Sequence, residues 1–180
     1  AELSDLSVMD PWFRDESGNY PYSHSTIVFS RNNKAEYYLG RAVADALARE
    51  GAKVAICARG EEALQKAAAE IEERYKAPVF AFRADVSVPA GARAFIRKAV
   101  REFGTVDILV NNAGGPPAGH FEDFDEEDWM SAIRLNLIST VIMTGEVLPH
   151  MKKRRWGRII NITSVTIKPV SYTHLTLPTN

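Results

Sequence analysis

The sequence predicts an α/β fold in which a doubly wound parallel sheet is covered by helices on both faces, giving three layers. Two observations predict it. Short apolar runs rich in β-branched residues alternate with longer segments whose alanines and leucines recur at helical spacing. Gly51 and Gly104 follow two of these longer segments, at the position where helices commonly stop. Such alternation is typical of parallel sheets with right-handed crossovers.

Five segments are predicted as strands, because each is short, apolar and bounded by turn residues. The fourth is almost continuously apolar, as expected of a strand that is covered on both faces. The five segments are residues 26–30, 53–57, 79–82, 106–110 and 157–163.

Helices are predicted at residues 39–50, 61–75 and 90–103, and a longer helix begins after Asp125 and ends near residue 155. Asp128 stands three residues after Asp125, which predicts a capping box. Four large apolar residues of the long helix recur every four positions and predict one buried stripe. They are Trp129, Ile133, Leu137 and Val141.

Length, charge and cysteine content limit the classes of protein. With 180 residues, 46% of them hydrophobic, the chain can form one domain with a substantial core. A formal net charge of -1 gives no general attraction to nucleic acid or to an anionic membrane. The single cysteine, Cys57, excludes an internal disulfide and a zinc site built from several cysteines.

The sequence also bears on location. No apolar run approaches the roughly 20 residues needed to span a bilayer. The first residues lack the basic and then apolar order of a signal peptide. We therefore expect a cytoplasmic protein.

Candidate functional residues lie directly after the predicted strands, because ligands of such sheets bind outside the carboxyl ends of the strands. Arg59 follows the second strand, where a basic side chain could pair with a 2′-phosphate. Asp85 follows the third strand and could accept a hydrogen bond from an adenine amino group. Ser164 follows the fifth. Each position also has a simpler interpretation, as an exposed arginine, a helix cap or a strand-end cap.

Taken in order, six motifs resemble the short-chain dehydrogenase/reductase family, and within it the 3-oxoacyl-carrier-protein reductases. The likeness extends from about residue 39 to about residue 168 and implies a Rossmann-type domain. The motifs are GRAVA at 40–44, EGAKV at 50–54, Asp85 with Val86, DILVNNAG at 107–114, the helical segment 129–136 with Leu135, Asn136 and Leu137, and GRIINITS at 157–164.

The resemblance implies an oxidoreductase that transfers a hydride between NADP(H) and a small carbonyl or alcohol substrate. Ser164 would bind the substrate oxygen, and Asn136 would hold a water in a proton relay. Arg59 favours NADP over NAD. Members of the family are usually homo-oligomers, and neither a metal, a nucleic acid nor a membrane is implied. The cofactor-binding set would be Gly40, Arg59, Asp85, Val86, Asn112, Ala113 and Gly114.

The segment between the first strand and the first helix departs from the family. The family has a threonine and three glycines there, which let the backbone approach a pyrophosphate. Here only Gly40 remains, and Tyr38 occupies a glycine position. Losing two charge-assisted hydrogen bonds, at roughly 1.5–3 kcal/mol each, predicts that cofactor binding is weaker by about two to four powers of ten.

The catalytic end departs as well. The family places a tyrosine about a dozen residues after the serine and a lysine four residues further on. Here Tyr172 stands 8 residues after Ser164, and Thr176 follows where the lysine is expected. The sequence therefore predicts that this chain is inactive.

We expect residues 1–25 to form an irregular extension, residues 26–170 a partial NAD(P)-binding domain that is incomplete at its C-terminal end, and residues 171–180 a tail foreign to the family on a truncated chain. One alternative is a non-catalytic nucleotide-binding or interaction module with the same fold. A nucleotide-fold methyltransferase is a more distant alternative, because Arg59 stands where that class would need an acid.

Overall fold

The computed structural model describes residues 25–29, 34–114 and 120–163, with side chains from residue 39 onward. This part of the chain contains five strands and five α-helices, with one helix between successive strands except between the fourth and fifth strands, where a short 3-10 helix (Phe121–Asp123) and two α-helices follow one another. The strands are β1 (Ser25–Phe29), β2 (Lys53–Ala58), β3 (Val79–Arg83), β4 (Ile108–Asn111) and β5 (Arg158–Asn161). The helices are α1 (Lys34–Arg49), α2 (Glu61–Tyr75), α3 (Pro89–Phe103), α4 (Glu126–Ile133) and α5 (Ser139–Arg154).

The strands form one parallel sheet in the order β3-β2-β1-β4-β5. From β1 the chain adds β2 and then β3 outward on one side, and it then crosses to the other side of β1 to form β4 and β5. This reversal of direction makes the sheet doubly wound, and it creates the crevice in which sheets of this kind bind ligands. The predicted fold class is confirmed.

The core lies on both faces of the sheet. Along β2, Val54 and Ile56 face one side, and Ala55 and Cys57 face the other. The first side is covered by α1 and α2, and Ile71 of α2 is fully buried there. The opposite side is covered by α3 and the long helix. This alternation explains why β2 and β4 are almost entirely apolar, since neither face of either strand meets water.

The backbone geometry confirms that two helices end at the predicted glycines. Gly51 has φ +84° and Gly104 has φ +83°, the left-handed conformation that glycine adopts without steric cost. The turns after α1 and α3 therefore return the chain sharply to the sheet.

The first helix begins earlier than the sequence predicts, at Lys34 rather than at residue 39. Lysine, alanine, glutamate and leucine favour helix here, and no glycine or proline interrupts residues 34–39. Tyr38 therefore belongs to a helix, in the segment where the resemblance implies a glycine-rich loop. Only four residues, 30–33, separate this helix from β1.

The long helix begins as predicted. The Asp125 carboxylate accepts a hydrogen bond from the Asp128 backbone N–H at 3.0 Å, and the Asp128 carboxylate accepts one from the Asp125 N–H at 3.2 Å. This reciprocal pair is a capping box. The helical run then continues through a π-helical turn at Arg134–Ile138 into α5.

The prediction of a buried stripe on the long helix is wrong. The four residues Trp129, Ile133, Leu137 and Val141 are between 41 and 58% exposed. The buried face of the helix is offset from these four residues by about two positions along the sequence, which corresponds to a rotation of roughly 200° about the helix axis. A second row with the same spacing is buried instead, namely Leu135, Ser139, Met143, Val147 and Met151.

By length and composition alone, the helical run Glu126–Arg154 could cross a membrane, where the sequence predicted no span. One face of this run packs against the sheet and α3 through Met143 and Val147. A single run of this kind is weak evidence for a membrane, because a helix that covers a sheet in a globular domain satisfies the same test.

Candidate functional site

The register of the strands brings the residues that follow them to one edge of the sheet. Ala58 pairs with Arg83 at the ends of β2 and β3, and Asn111 pairs with Asn161 at the ends of β4 and β5. Between them, Phe29 of β1 pairs with Cys57. We call this the carboxyl edge, and the predicted residues Arg59, Asp85, Val86, Asn112, Ala113 and Gly114 all follow strands that end there.

Asp85 lies in the turn that leads from β3 into α3. Its Oδ1 accepts hydrogen bonds from the Ser87 backbone N–H at 3.0 Å and from the Ser87 hydroxyl at 2.6 Å. No donor in the described part of the chain reaches its other oxygen, Oδ2. Val88, not Asp85, is the N-cap residue of α3. One carboxylate oxygen thus fixes the turn, and the other is available to a ligand.

Close packing holds this turn in place. Gly91 of α3 lies directly against the Asp85 backbone carbonyl, and a side chain at position 91 would collide with that oxygen. Val86 is buried beside Phe95 and Cys57 in the core. The position of Asp85 is therefore set by the packing of α3 on the sheet.

Cys57 is the last but one residue of β2, and its side chain is buried close enough to Asp85 to feel its charge. Burial raises the pKa of its thiol well above the ordinary value, and the negative charge of Asp85 raises it further. The thiol therefore stays protonated near neutral pH and acts as a small apolar core residue.

Two arginines lie at neighbouring strand ends. Both Arg59 and Arg83 are exposed, and the Arg83 Nε–H donates a hydrogen bond to the Arg59 carbonyl oxygen at 3.1 Å. Sequence reasoning identified Arg59 and missed Arg83. The available signal was the alignment of the two predicted strands, which places position 83 beside the residue before Arg59.

Asn111 and Asn161 join the ends of β4 and β5. The Asn111 Nδ2 donates to the Asn161 Oδ1 at 2.7 Å, and the Ile162 N–H donates to the Asn111 carbonyl at 2.9 Å. Asn111 belongs to β4 and not to the turn after it, which corrects the predicted end of that strand. Asn112 and Gly114 behind it are buried and Ala113 is half-buried, so the backbone there lies close to the body of the domain.

Sequence comparison identifies the family. A model of the short chain dehydrogenase family matches residues 36–174. This chain belongs to the short-chain dehydrogenase family. The resemblance predicted from the motifs is thereby confirmed.

Several relatives support the assignment. Ketoacyl reductase 1 of the granaticin polyketide synthase from Streptomyces violaceoruber is 43% identical over 129 residues, which cover 70% of this chain and 47% of that protein. D-beta-hydroxybutyrate dehydrogenase from Cupriavidus necator is 39% identical over 127 residues, covering 70% and 48%. The chain thus spans about half the length of these relatives.

A solved structure shows the same architecture. L-sorbose reductase from Gluconobacter frateurii, crystallised with NADPH and L-sorbose, superposes with a TM-score of 0.74 at 28% identity. The superposition covers 83% of this chain and 56% of the reductase.

The family's asparagine position, Asn136, falls within the π-helical turn of the long helix. Its Nδ2 donates to the Ala132 carbonyl at 2.9 Å, and its own carbonyl accepts the Thr140 hydroxyl at 3.0 Å. The Ser139 hydroxyl donates to the Leu135 carbonyl in the same way. Each of these side chains donates to the backbone carbonyl four residues earlier, and π-helical turns are frequent at functional sites.

Other family positions lie outside the described residues. They include Ser164, Tyr172 and Thr176, and the four residues that link β1 to α1. Gly40 is described and is buried within α1. Among the described residues, no group of three histidine, cysteine, aspartate or glutamate side chains could hold a metal ion.

The residues that are described fit the adenosine half of a dinucleotide better than its diphosphate half. No described residue donates to Oδ2 of Asp85, and the exposed Arg59 supplies a positive charge at the same edge. On the diphosphate side, α1 contains Tyr38 at a position where the family has a glycine, which would allow close backbone approach, and Tyr37 stands next to it. The described residues thus keep the family's adenosine-side positions, whereas the sequence between β1 and Gly40 lacks the family's other glycines.

Proposed function

We propose that this chain is the nucleotide-binding part of an NADP-dependent oxidoreductase that acts on a carbonyl or alcohol substrate. One observation carries the proposal. Arg59, Asp85 and residues 112–114 follow three different strands and lie along one edge of one sheet. That edge is where doubly wound sheets bind dinucleotides.

Each residue has a chemical role in this proposal. The Arg59 guanidinium binds the adenosine 2′-phosphate, since a planar cation suits a phosphate. Oδ2 of Asp85 accepts a hydrogen bond from the adenine amino group, and Val86 supports the turn that presents it. Asn112, Ala113 and Gly114 let the ribose approach the backbone, and Gly40 lies in the helix that faces the phosphates.

Bound NADP(H) would supply the hydride, and the protein would supply position and electric field. Ser164 binds the substrate oxygen and Asn136 holds a water, as the family positions imply. Tyr172 and Thr176 do not reproduce the family's tyrosine and lysine. We propose therefore that this chain binds nucleotide weakly and does not turn over substrate.

A nucleotide titration tests the proposal. We expect the chain to bind NADPH with a Kd above about 100 μM, because of the altered phosphate segment, and to bind NADH more weakly still. Arg59→Gln should weaken NADPH binding by about tenfold and leave NADH binding almost unchanged. Arg101→Gln, an exposed arginine near the end of α3, is the control and should change neither.

Three results would count against the proposal. Micromolar NADPH binding would refute the argument about the phosphate segment. Tighter binding of NADH than of NADPH would refute the role of Arg59. Turnover of a ketone panel with NADPH above background would refute the inactivity of this chain.

A non-catalytic module is the second candidate, and the exposed apolar row on the long helix favours it. Such a module would self-associate or bind a protein without responding to nucleotide. A chain that binds neither NADPH nor NADH at millimolar concentration but associates through this helix would support that alternative. A cytoplasmic location stays a prediction in either case.

A further inference from the structure

The ends of β2 and β3 are tied together by Arg83. In addition to the strand register that pairs Ala58 with Arg83, the Ala84 N–H donates to the Ala58 carbonyl at 3.1 Å. The Arg83 Nε–H then donates to the next carbonyl along, that of Arg59, also at 3.1 Å. Arg83 therefore fixes the backbone from which the Arg59 side chain extends.

Among the described residues, no carboxylate lies in salt-bridge contact with either guanidinium group. Neither Arg59 nor Arg83 forms an ion pair within the described part of the chain. Glu61, at the start of α2 nearby, accepts a hydrogen bond from Gln65 at 2.8 Å. The Oδ1 of Asp85 is occupied by Ser87. Two exposed arginines thus follow the ends of adjacent strands, and neither forms an ion pair with a described carboxylate.

This arrangement has an electrostatic consequence. The hydrogen bond uses only the Nε of Arg83, so its two Nη groups can still donate to a ligand. A dianionic phosphate that contacts both side chains would be stabilised by two positive charges, and a guanidinium suits a phosphate because its planar N–H groups match the phosphate oxygens. A nucleotide without a phosphate at this position would gain nothing from either cation.

We propose that Arg83 is a second determinant of selectivity for the 2′-phosphate of the nucleotide. It positions Arg59 through the Nε–H and donates to the phosphate through its Nη groups. The inference rests on the proposed nucleotide function. It adds to that function a residue on a different strand, which acts both on the ligand and through Arg59.

Two small nucleotides test the contact between Arg83 and the 2′-phosphate separately from the altered segment between the first strand and the first helix. Adenosine 2′,5′-bisphosphate and 5′-AMP differ only in the 2′-phosphate. Calorimetric titration of the whole chain should show tighter binding of the bisphosphate. Arg83→Gln should weaken binding of the bisphosphate by about tenfold and that of 5′-AMP by less than about twofold. The control Arg101→Gln should leave both affinities unchanged.

A second variant and a pH series separate the proposal from a purely structural role. Arg83→Lys keeps a charge but loses the Nε–H, so we expect a loss of about threefold for the bisphosphate alone. The preference of the native chain should fall as the pH drops through about 6, where a phosphate monoester takes up a proton. Arg83→Gln should show a smaller fall.

The outcomes are distinct. An equal loss for both nucleotides in the Arg83 variants would assign Arg83 a structural role only and overturn the inference. An unchanged preference in both variants would overturn it too, while the proposed function would stand. A native chain that binds neither probe would overturn the proposed function and this inference together.

Discussion

Gly91 shows at the scale of one residue how packing fixes the candidate site. Its backbone lies against the carbonyl of Asp85, with no space for a side chain. We expect Gly91→Ala to lower the free energy of unfolding by about 1–3 kcal/mol, because either α3 or the Asp85 turn must move. The change would be measured by urea denaturation.

Gly145 provides a matched control, since it also lies within a helix but has open space around it. Gly145→Ala should stabilise the chain by about 0.5–1 kcal/mol through helix propensity. If both variants shift the denaturation midpoint in the same direction, the close contact at Asp85 does not exist in solution.

Sequence reasoning could place Asp85 and Arg59 at strand ends but could not detect their neighbours. Arg83 became visible only when the register of β2 and β3 was fixed, because its partner is a backbone carbonyl 24 positions earlier. The contact between Asn111 and Asn161 spans 50 positions. Such contacts depend on which strands are adjacent in the sheet. The spacing of apolar residues within one segment does not show which strands pair with each other.

At the scale of helices, Glu146 connects α5 to α3. Its carboxylate lies 2.9 Å from the Arg97 Nε and 3.0 Å from an Arg93 Nη. The hydrogen bond from Arg97 lowers the pKa of Glu146 against the effect of partial burial, and Arg93 lowers it further. The ionised carboxylate is thus the form that the folded state favours.

A prediction about pH follows from this pair. Because the folded-state pKa is lowered, the stabilisation is present above the unfolded-state value of about 4.3 and is lost as the pH falls through the folded-state value. Glu146→Gln should therefore unfold more easily than the native chain at pH 7, by less than Gly91→Ala does. The difference should vanish in acid.

Chemical denaturation from pH 7 to pH 3 would check this. Glu73→Gln, at an exposed position of α2, is the control and should differ little from the native chain across the series. A deficit for Glu146→Gln that persists undiminished at pH 3 would show that its carboxylate charge is not the cause.

For the long helix, residue spacing predicted where the helix begins but not which face is buried. Its cap was predicted, because the two aspartates act on backbone groups within one turn. Its orientation was not, because two apolar rows with the same spacing lie on opposite sides. Only the sheet determines which row is covered, and it covers the row with Met143 and Val147.

For the whole molecule, the parallel sheet and its layers of helices followed from the alternation of strands and helices, whereas the strand order β3-β2-β1-β4-β5 came from the structure. The start of α1 was not predicted correctly, because its residues favour helix whereas the resemblance implies a loop there. The fold class is therefore strongly encoded along the chain, whereas the start of α1 and the orientation of the long helix are not.

The exposed row on the long helix predicts association between copies of the chain. Leu137 and Val141 are each more than half exposed, and a row of this size favours burial. Leu137→Glu should convert a dimer to a monomer in sedimentation velocity, while Ala63→Glu on the exposed side of α2 should not. A native chain that is already monomeric at micromolar concentration would contradict this.

The central claim is that a nucleotide binds across the carboxyl edge of this sheet. A titration of the ¹⁵N-labelled chain with NADPH, followed by amide correlation spectra, tests it most directly. We predict that the largest shifts fall on residues 58–60, 84–86 and 112–114. Shifts confined to the opposite edge, around Gly51, Gly104 and Gly157, or no shifts at millimolar NADPH, would contradict the account.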